Sequence, residues 1–373
     1  MTKPTYVTDF IRYYEKIARR PLGFLTFFRS DETTITDAPQ IEFDRRKSRL
    51  IISKAKNRGS EATNNSNGNF ERVTLVPPVY KECKNFSIQE KDVFGFGQNP
   101  YDISEDRQMR LLQEAAKDIL LLDEKMNGAE AWQAAQLFQT GKIPFTTAGY
   151  GEGVQDVDFG CPADNFATLS NSTGTLYWDN ASATPIANLE AHCTTIRKNG
   201  HSMVRDIIFG SLAWQNFAAN QSVQDEYNVR RMEFGYIRPE EEREGLCFMG
   251  KLHLDGTMVN LWTCDMTYVS PADDSTVVDL MDPKKVVFIA DGDYEKWYAG
   301  VDVIKGIEIP NLNAMLSQYM RADGTITIAN DRIATRLYVD AYPHNGVAVV
   351  RAQKAPLCIA KSNDTFGCLK VLA

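Results

Sequence analysis

A chain of 373 residues with 43% hydrophobic and 24% charged content is ordinary globular material for two or three domains, which excludes disordered and collagen-like classes. No run reaches the ~18 apolar residues of a membrane span, and the opening MTKPTYVTDFIRYYEKIARRP lacks the apolar centre of a signal peptide, so a cytosolic chain is expected. The net charge of −8 hides a gradient: residues 1–60 hold 13 Lys/Arg against 7 Asp/Glu, and the remaining acidic body argues against extensive DNA binding.

The spacing of Phe10, Ile11, Tyr14 and Ile17 predicts a short amphipathic helix from about Thr8 to Arg19, ended by Pro21. The aromatic run Pro21–Arg29 follows, with Phe24, Phe27 and Phe28, and a terminal arm this apolar must dock on something. Residues 40 to about 91 are strand-like, interrupted by the polar Ser60–Asn69 and punctuated by Pro77-Pro78, which predicts a long β-hairpin. A two-stranded ribbon is marginal alone in water, so the hairpin needs a surface to lie on. The clearest element is a long helix over Ser104–Thr140, entered at Asp102 with Glu105 reaching back, and stopped by Gly141 and Pro144. Asn127-Gly128 is its weak point, and no heptad is sustained; it reads as an exposed spine.

Beyond the spine, Phe145–Leu176 reads as short strands and turns, Thr184–Lys198 as a helix closed by Asn199-Gly200, Met203–Phe209 as a buried strand, and Ser211–Tyr227 as one helix. Gly245–Leu254 and Met258–Val269 form a hairpin about Asp255-Gly256, and Val286–Ala290 is a continuously apolar strand. The C-terminal region is β-rich, with strands over Gly324–Ala329, Ile333–Tyr342, Gly346–Ala352 and a last run from Cys368 to Leu372. No internal repeat is present, and the class is α+β.

Chemistry-bearing motifs are weak. Seven scattered cysteines without a CxxC read as reduced, mostly buried thiols. His201, Ser202 and Asp206 lie close in sequence, without a nucleophile elbow. Asp291-Gly292-Asp293-Tyr294-Glu295 has too few ligands for a calcium loop and reads as the cap of a helix after a strand. His192-Cys193 has no second cluster to complete a zinc site, and His344 reads as part of a turn. Gly95-Phe96-Gly97 and Gly149–Gly153 read as turns without phosphate-loop context. No catalytic residue, metal ligand or cofactor is expected. An aromatic arm, an overlong hairpin and an exposed spine instead point to neighbouring copies as the missing burial.

The ordered set of Pro21–Arg29, Arg58-Gly59, Val76-Pro77-Pro78-Val79-Tyr80-Lys81, Leu137…Thr140-Gly141-Lys142, Lys354–Ile359 and Val371-Leu372-Ala373 resembles the tailed-phage major capsid proteins of the lambda-like capsid protein E family. The resemblance implies the Hong Kong 97 phage capsid fold: an N-terminal arm (1–37), an extended β-hairpin loop (38–95), a peripheral domain with the spine helix (96–154), an axial α/β domain (155–320) and peripheral return strands (321–373). It also implies self-assembly through hexamers and pentamers into an icosahedral shell around double-stranded DNA, bound without sequence specificity and without a membrane. Implied partners are a portal protein, a decoration protein at three-fold positions, and a separate scaffolding protein, the last because the arm begins almost at Met1. The virion is the implied location, with assembly in the host cytoplasm. An encapsulin-like nanocompartment and an α+β enzyme with an unrecognised site are the alternatives.

Charge adds a specific expectation. Residues 40–91 carry 11 Lys/Arg against 6 Asp/Glu, whereas 104–140 carries 4 against 7. Arg45, Arg46, Arg49, Lys54, Lys56 and Arg58 are therefore expected to face Asp118, Asp123 and Glu124 of a neighbour, alongside Phe24, Phe27 and Phe28 of the arm. A Lys–Asn crosslink, as in some relatives of this fold, would have Lys54 or Lys56 and Asn363 as partners.

Overall fold

The computed structural model describes residues 23–45, 71–86, 107–146, 154–171, 176–229, 245–271, 275–304, 330–333, 336–344 and 347–373. The expected Thr8–Arg19 helix, the capping residues Asp102 and Glu105, the hairpin tip, the two glycine-rich turns and the Gly324–Ala329 strand lie outside them.

In chain order, β1 (Ile41–Arg45), β2 (Glu71–Leu75) and β3 (Tyr80–Phe86) precede α1 (Arg107–Thr140), followed by β4 (Lys142–Ile143), β5 (Val157–Asp158) and β6 (Phe166–Thr168). Next come α2 (Pro185–Gly200), β7 (Val204–Gly210), α3 (Ser211–Ala219) and α4 (Gln221–Val229). The strands β8 (Leu246–Leu254), β9 (Thr257–Cys264), β10 (Thr267–Val269), β11 (Val277–Asp279), β12 (Lys285–Ala290), β13 (Tyr294–Tyr298) and β14 (Val301–Ile304) follow. Five more close the chain: β15 (Asn330–Ile333), β16 (Tyr338–His344), β17 (Val347–Lys354), β18 (Pro356–Ala360) and β19 (Phe366–Lys370). The fold is α+β.

The main sheet has six strands in the order β6-β19-β12-β7-β9-β8, mostly antiparallel, with parallel contacts at β19–β6 and β7–β9. Near its centre, β12 shows why an unbroken apolar run is needed. Alternate side chains of a strand point to opposite faces. Val287 and Ile289 therefore enter one core, with α1 and the arm, while Val286, Phe288 and Ala290 enter the other, beneath α2, α3 and α4. The hairpin β8–β9 turns at Asp255 (φ 48°) and Gly256 (φ 78°), two left-handed residues as a type I′ turn requires. The expected strand Met258–Val269 is divided: β9 ends at Cys264, and β10 leaves the sheet to pair with β11.

Four local readings are corrected. The helix expected over Ser211–Tyr227 is two helices, because Asn220 is extended and its Oδ1 accepts from the Ser222 backbone, capping α4. In α2, the left-handed C-cap is His201 (φ 50°), not Gly200. Gly200 is required by proximity, since a Cβ there would sit 2.6 Å from the Asp364 carbonyl oxygen. No helix follows Asp291-Gly292-Asp293: the chain continues into β13, which pairs with β18. His344, read as part of a turn, is the last residue of β16 and pairs with Val347, the first of β17.

The spine helix α1 has 34 residues and runs unbroken through Asn127-Gly128, a length of about 51 Å. Gly141 (φ 71°) closes it, its N–H bonded to the Leu137 carbonyl at 2.8 Å. The exposed spine expected from sequence is corrected over the last third, where Ala131, Trp132, Ala134, Ala135, Leu137 and Phe138 are all buried. A helix apolar on every side must be surrounded, and this one has the arm, the main sheet and β18 around it.

Candidate assembly site

The arm docks on its own chain. Phe24, Phe27 and Phe28 surround the Phe138 ring at centroid distances of 6.1, 6.2 and 5.4 Å, and Tyr294 and Phe366 close the cluster at 5.3 Å each. Backbone bonds continue the docking, with Arg29 N–H donating to Tyr294 O, Lys296 N–H to Arg29 O and Thr36 N–H to Tyr298 O. The arm thus lies along β13 as an added edge. Phe24 has no exposed surface and Phe28 has 9%. For Phe24 and Phe28 the expectation of reaching a neighbour is therefore corrected, since both seal the core that α1 would otherwise leave open; Phe27 is half-buried at its edge.

A second structure-making site joins α1 to the return strands through buried charge. Asp123, Asn127 and Glu130 lie four and three residues apart and so share one face of the helix. The Lys354 ammonium reaches all three: Glu130 Oε1 at 2.7 Å, Asn127 Oδ1 at 2.7 Å and Asp123 Oδ1 at 3.3 Å. Lys296 of β13 takes the other Glu130 oxygen at 2.9 Å and lies 5.4 Å from the Tyr298 ring centroid. Burial alone would raise the Glu130 carboxyl, yet Lys354 and Lys296 outweigh it and hold the group below the ordinary carboxylate value. Two carboxylates face two ammonium groups, so no net charge is stranded. Asp123, expected to face a neighbour, is 2% exposed and engaged within its own chain, which corrects that expectation.

Glutamines on α1 complete strand edges. Gln133 Oε1 accepts from the Cys358 N–H at 3.2 Å, while its Nε2 donates to Pro356 O at 3.3 Å and to the Tyr80 hydroxyl at 2.8 Å. The side-chain amide thus serves β18 as a neighbouring strand's backbone would. Gln139 does the same further along, accepting from the Asp282 N–H and donating to Leu280 O. Nothing in the sequence pattern marked these two glutamines, and Lys354 stood out only as the start of the Lys354–Ile359 anchor; a buried-polar role is invisible until the strands that need it are placed.

The remaining expected residues divide. Glu124 is exposed on α1. Asp118 and Arg45 lie on α1 and β1, with side chains outside the described residues, and Arg46, Arg49, Lys54, Lys56 and Arg58 are wholly outside them. At the hairpin base, β1 pairs with β2 in the register Ile41↔Leu75 to Arg45↔Glu71, Ile41 and Phe43 being buried. Asn363 is 2% exposed, its amide donating to Phe159 O and Gly160 O at 3.0 and 2.8 Å, and Lys54 and Lys56 of the expected crosslink lie outside the described residues.

No reactive constellation forms from the sequence candidates. Asp206 accepts from Asn260 Nδ2 and Trp262 Nε1, Ser202 Oγ donates to Asp291 O, and His201 caps α2. His192 packs on the Phe288 ring at 4.6 Å; burial pulls its pKa down to about 4, and its Nε2 is buried with no hydrogen-bond partner among the described residues. Burial likewise pushes the Cys193 thiol up to about 12 and Cys264 up to about 11, so neither is a ready nucleophile. Among the described residues, no three His, Cys, Asp or Glu side chains gather to hold a metal, and no helix is long and apolar enough to cross a membrane.

What these contacts position is a scaffold, and comparison with known proteins agrees. The model of the family Phage major capsid protein E matches residues 7–327. A protein assigned as the capsid protein of a prophage in E. coli CFT073 shares the fold at a TM-score of 0.57 and 15% identity, over 99% of this chain and 97% of that one. A phage-related protein from Bordetella bronchiseptica RB50 aligns at 0.45 and 11% identity (97% and 96% covered), and the mature capsid of bacteriophage PhiM1 at 0.43 and 11% (95% and 88%). No curated protein matches the sequence. With a family match over most of its length, and a fold shared end to end with a prophage capsid protein, this chain belongs to the phage major capsid protein E family.

Proposed function

We propose that copies of this chain assemble into the icosahedral head shell of a tailed phage, enclosing double-stranded DNA. The observation that carries this is the family match over residues 7–327. The role is structural and not enzymatic, and the assembled chain resides in the virion after assembly in the host cytoplasm. Residues 96–154 and 321–373 form the peripheral part, 155–320 the axial part whose loops meet at five- and six-fold axes, and 38–95 the extended loop. The partners are other copies in hexamers and pentamers, a scaffolding protein, a portal protein and a decoration protein. Arg45, Arg46, Arg49, Lys54, Lys56 and Arg58 meet an acidic surface of a neighbour to which Asp118 and Glu124 contribute. Exposed ion pairs are worth ~0–1 kcal/mol each, so they set register while apolar burial supplies the affinity.

The test is the mass of the native particle by light scattering, with electron micrographs alongside. Megadalton shells or hexameric rings are expected, and shells recovered from infected cells should hold phage DNA. A monodisperse 42 kDa monomer that stays monomeric with its scaffold overturns the reading. Shells that hold enzyme cargo in place of DNA would replace it with an encapsulin-like compartment.

A further inference from the structure

Lys354 lies against an amide as well as against carboxylates. Its ammonium nitrogen is 2.7 Å from Asn127 Oδ1, the oxygen bonded to the carboxamide carbon, and 2.7 Å from Glu130 Oε1. On its other side the Asn127 amide is fixed by Nδ2 donating to Asp123 Oδ2 at 3.0 Å. Lys354, Asp123 and Glu130 are almost wholly buried, and Ala352 and Ala355 beside Lys354 have no exposed surface. A nucleophile, an amide and a proton acceptor are thus held in contact within a dry site, the condition under which a slow bimolecular reaction becomes an effectively unimolecular one. The sequence of the helix adds a second observation. Asn127 and Gly128 are poor helix formers in the middle of a 34-residue helix. Packing does not require the glycine, since among the described residues a Cβ there would meet nothing within 4 Å. That open space beside the half-buried Asn127 is a way out for a small leaving molecule.

We propose that this cluster is a modification site, at which Lys354 Nζ and Asn127 Cγ of one chain form an amide bond that ties β17 to α1 and releases ammonia. Glu130 Oε1 first takes one proton from the ammonium; in a buried site a neutral acid beside a neutral amine escapes the cost of desolvating two charges. The amine lone pair then bonds to Asn127 Cγ, the Cγ–Nδ2 bond breaks, and the departing nitrogen takes a second proton from Nζ to leave as ammonia. The third proton stays on the new amide. One carboxyl remains protonated, so the cluster passes from two ammonium groups and two carboxylates to one of each and stays neutral, with Lys296 still beside Glu130 at 2.9 Å. No oxidant, reductant or cofactor enters. The structure shows the state before this step. The bond joins residues 227 positions apart in one chain. It is thus unlike the expected Lys54 or Lys56 to Asn363 crosslink, which would join copies, and it does not depend on the shell reading.

The test is mass spectrometry of the wild-type chain, unassembled and from particles, held at neutral pH until its mass is constant. The intact mass should end one ammonia below that of the sequence, and digestion should yield a branched peptide joining Lys354 to Asn127. A chain closed into a loop should also migrate ahead of the open chain on denaturing gels. Lys354→Arg should keep its full mass. Asn127→Asp should form the same amide by losing water and end at the wild-type mass, a rescue that a purely structural cluster would not give. Glu130→Gln should slow the reaction at least about tenfold, as loss of the proton acceptor requires. Should a variant fold poorly, the branched wild-type peptide is read without it. A wild-type chain that keeps its full mass overturns the proposal. So does an ammonia loss that persists in Lys354→Arg, which would be a cyclic imide at Asn127-Gly128, or a branched peptide whose ends lie elsewhere. Every readout is made on single chains, so failure here leaves the shell reading standing, and a chain that never assembles leaves this test intact.

Discussion

Lys354 keeps a full charge at 2% exposure because three oxygens from two turns of α1 surround its ammonium. Breaking a buried pair by removing one partner commonly costs ~3–5 kcal/mol, since the other charge is left unpaired, whereas removing both can be near neutral. Lys354→Met should therefore lower the urea midpoint of the unassembled chain by an amount equivalent to ~3–5 kcal/mol, stranding Asp123. The pair Asp123→Asn/Lys354→Met should recover most of that loss, because Glu130 retains Lys296 at 2.9 Å. A double variant as unstable as the single would show that the cluster does not act as a unit.

His192 gives a pH signature with a determined sign. Its folded pKa, about 4, lies below the ordinary 6.5, so below pH 6.5 the unfolded chain binds the extra proton. Stability from this residue is whole above pH 6.5 and is lost as pH falls towards 4; at roughly 1.4 kcal/mol per pH unit the loss is about 3 kcal/mol. Glu130, with its pKa held below 4.5, contributes its own loss at lower pH still. Thermal midpoints of the wild type should drop across that window, and His192→Gln should flatten the drop; parallel curves would contradict the assignment.

At the scale of elements, small residues decide where helices stop and how closely they approach. Asn220→Ala removes the side-chain acceptor for the Ser222 N–H and should cost about 1 kcal/mol, read as a lower denaturation midpoint. Gly200→Ala forces a Cβ to 2.6 Å from the Asp364 carbonyl oxygen, a rigid backbone atom, and should cost about 1–3 kcal/mol, the usual range for overpacking. Gly200 was legible in the sequence as a helix stop, though its requirement is close approach to Asp364 and the left-handed cap is His201, whereas Asn220 lay unmarked inside the expected Ser211–Tyr227 helix. The periodicity across Ser211–Tyr227 is continuous, and only the sheet and helix that α3 and α4 each cover reveal that the chain must change direction between them.

Across the whole molecule, one face of the main sheet packs with the arm and α1, and the other is covered by α2, α3 and α4. An arm tied down by six backbone and ring contacts behaves as part of the subunit before assembly begins. Phe24→Ala should consequently destabilise the unassembled chain by ~3–5 kcal/mol, detected as a lowered unfolding midpoint, and not merely weaken contacts between copies.

Local pattern was enough for the elements that carry their own signal. The spine helix with its Gly141 stop, the Asp255-Gly256 hairpin, the doubly buried β12 and the α+β order were legible because periodicity, turn chemistry and apolar runs are written over neighbouring residues. Tertiary structure alone decided that Phe24 and Phe28 close their own core, that Asp123 faces Lys354 two hundred and thirty-one residues away, and that Gln133 finishes the edge of β18. Those outcomes depend on which distant surfaces meet. A buried charge or amide is stable only beside the partner that the fold brings to it, and no spacing along the chain encodes that partner.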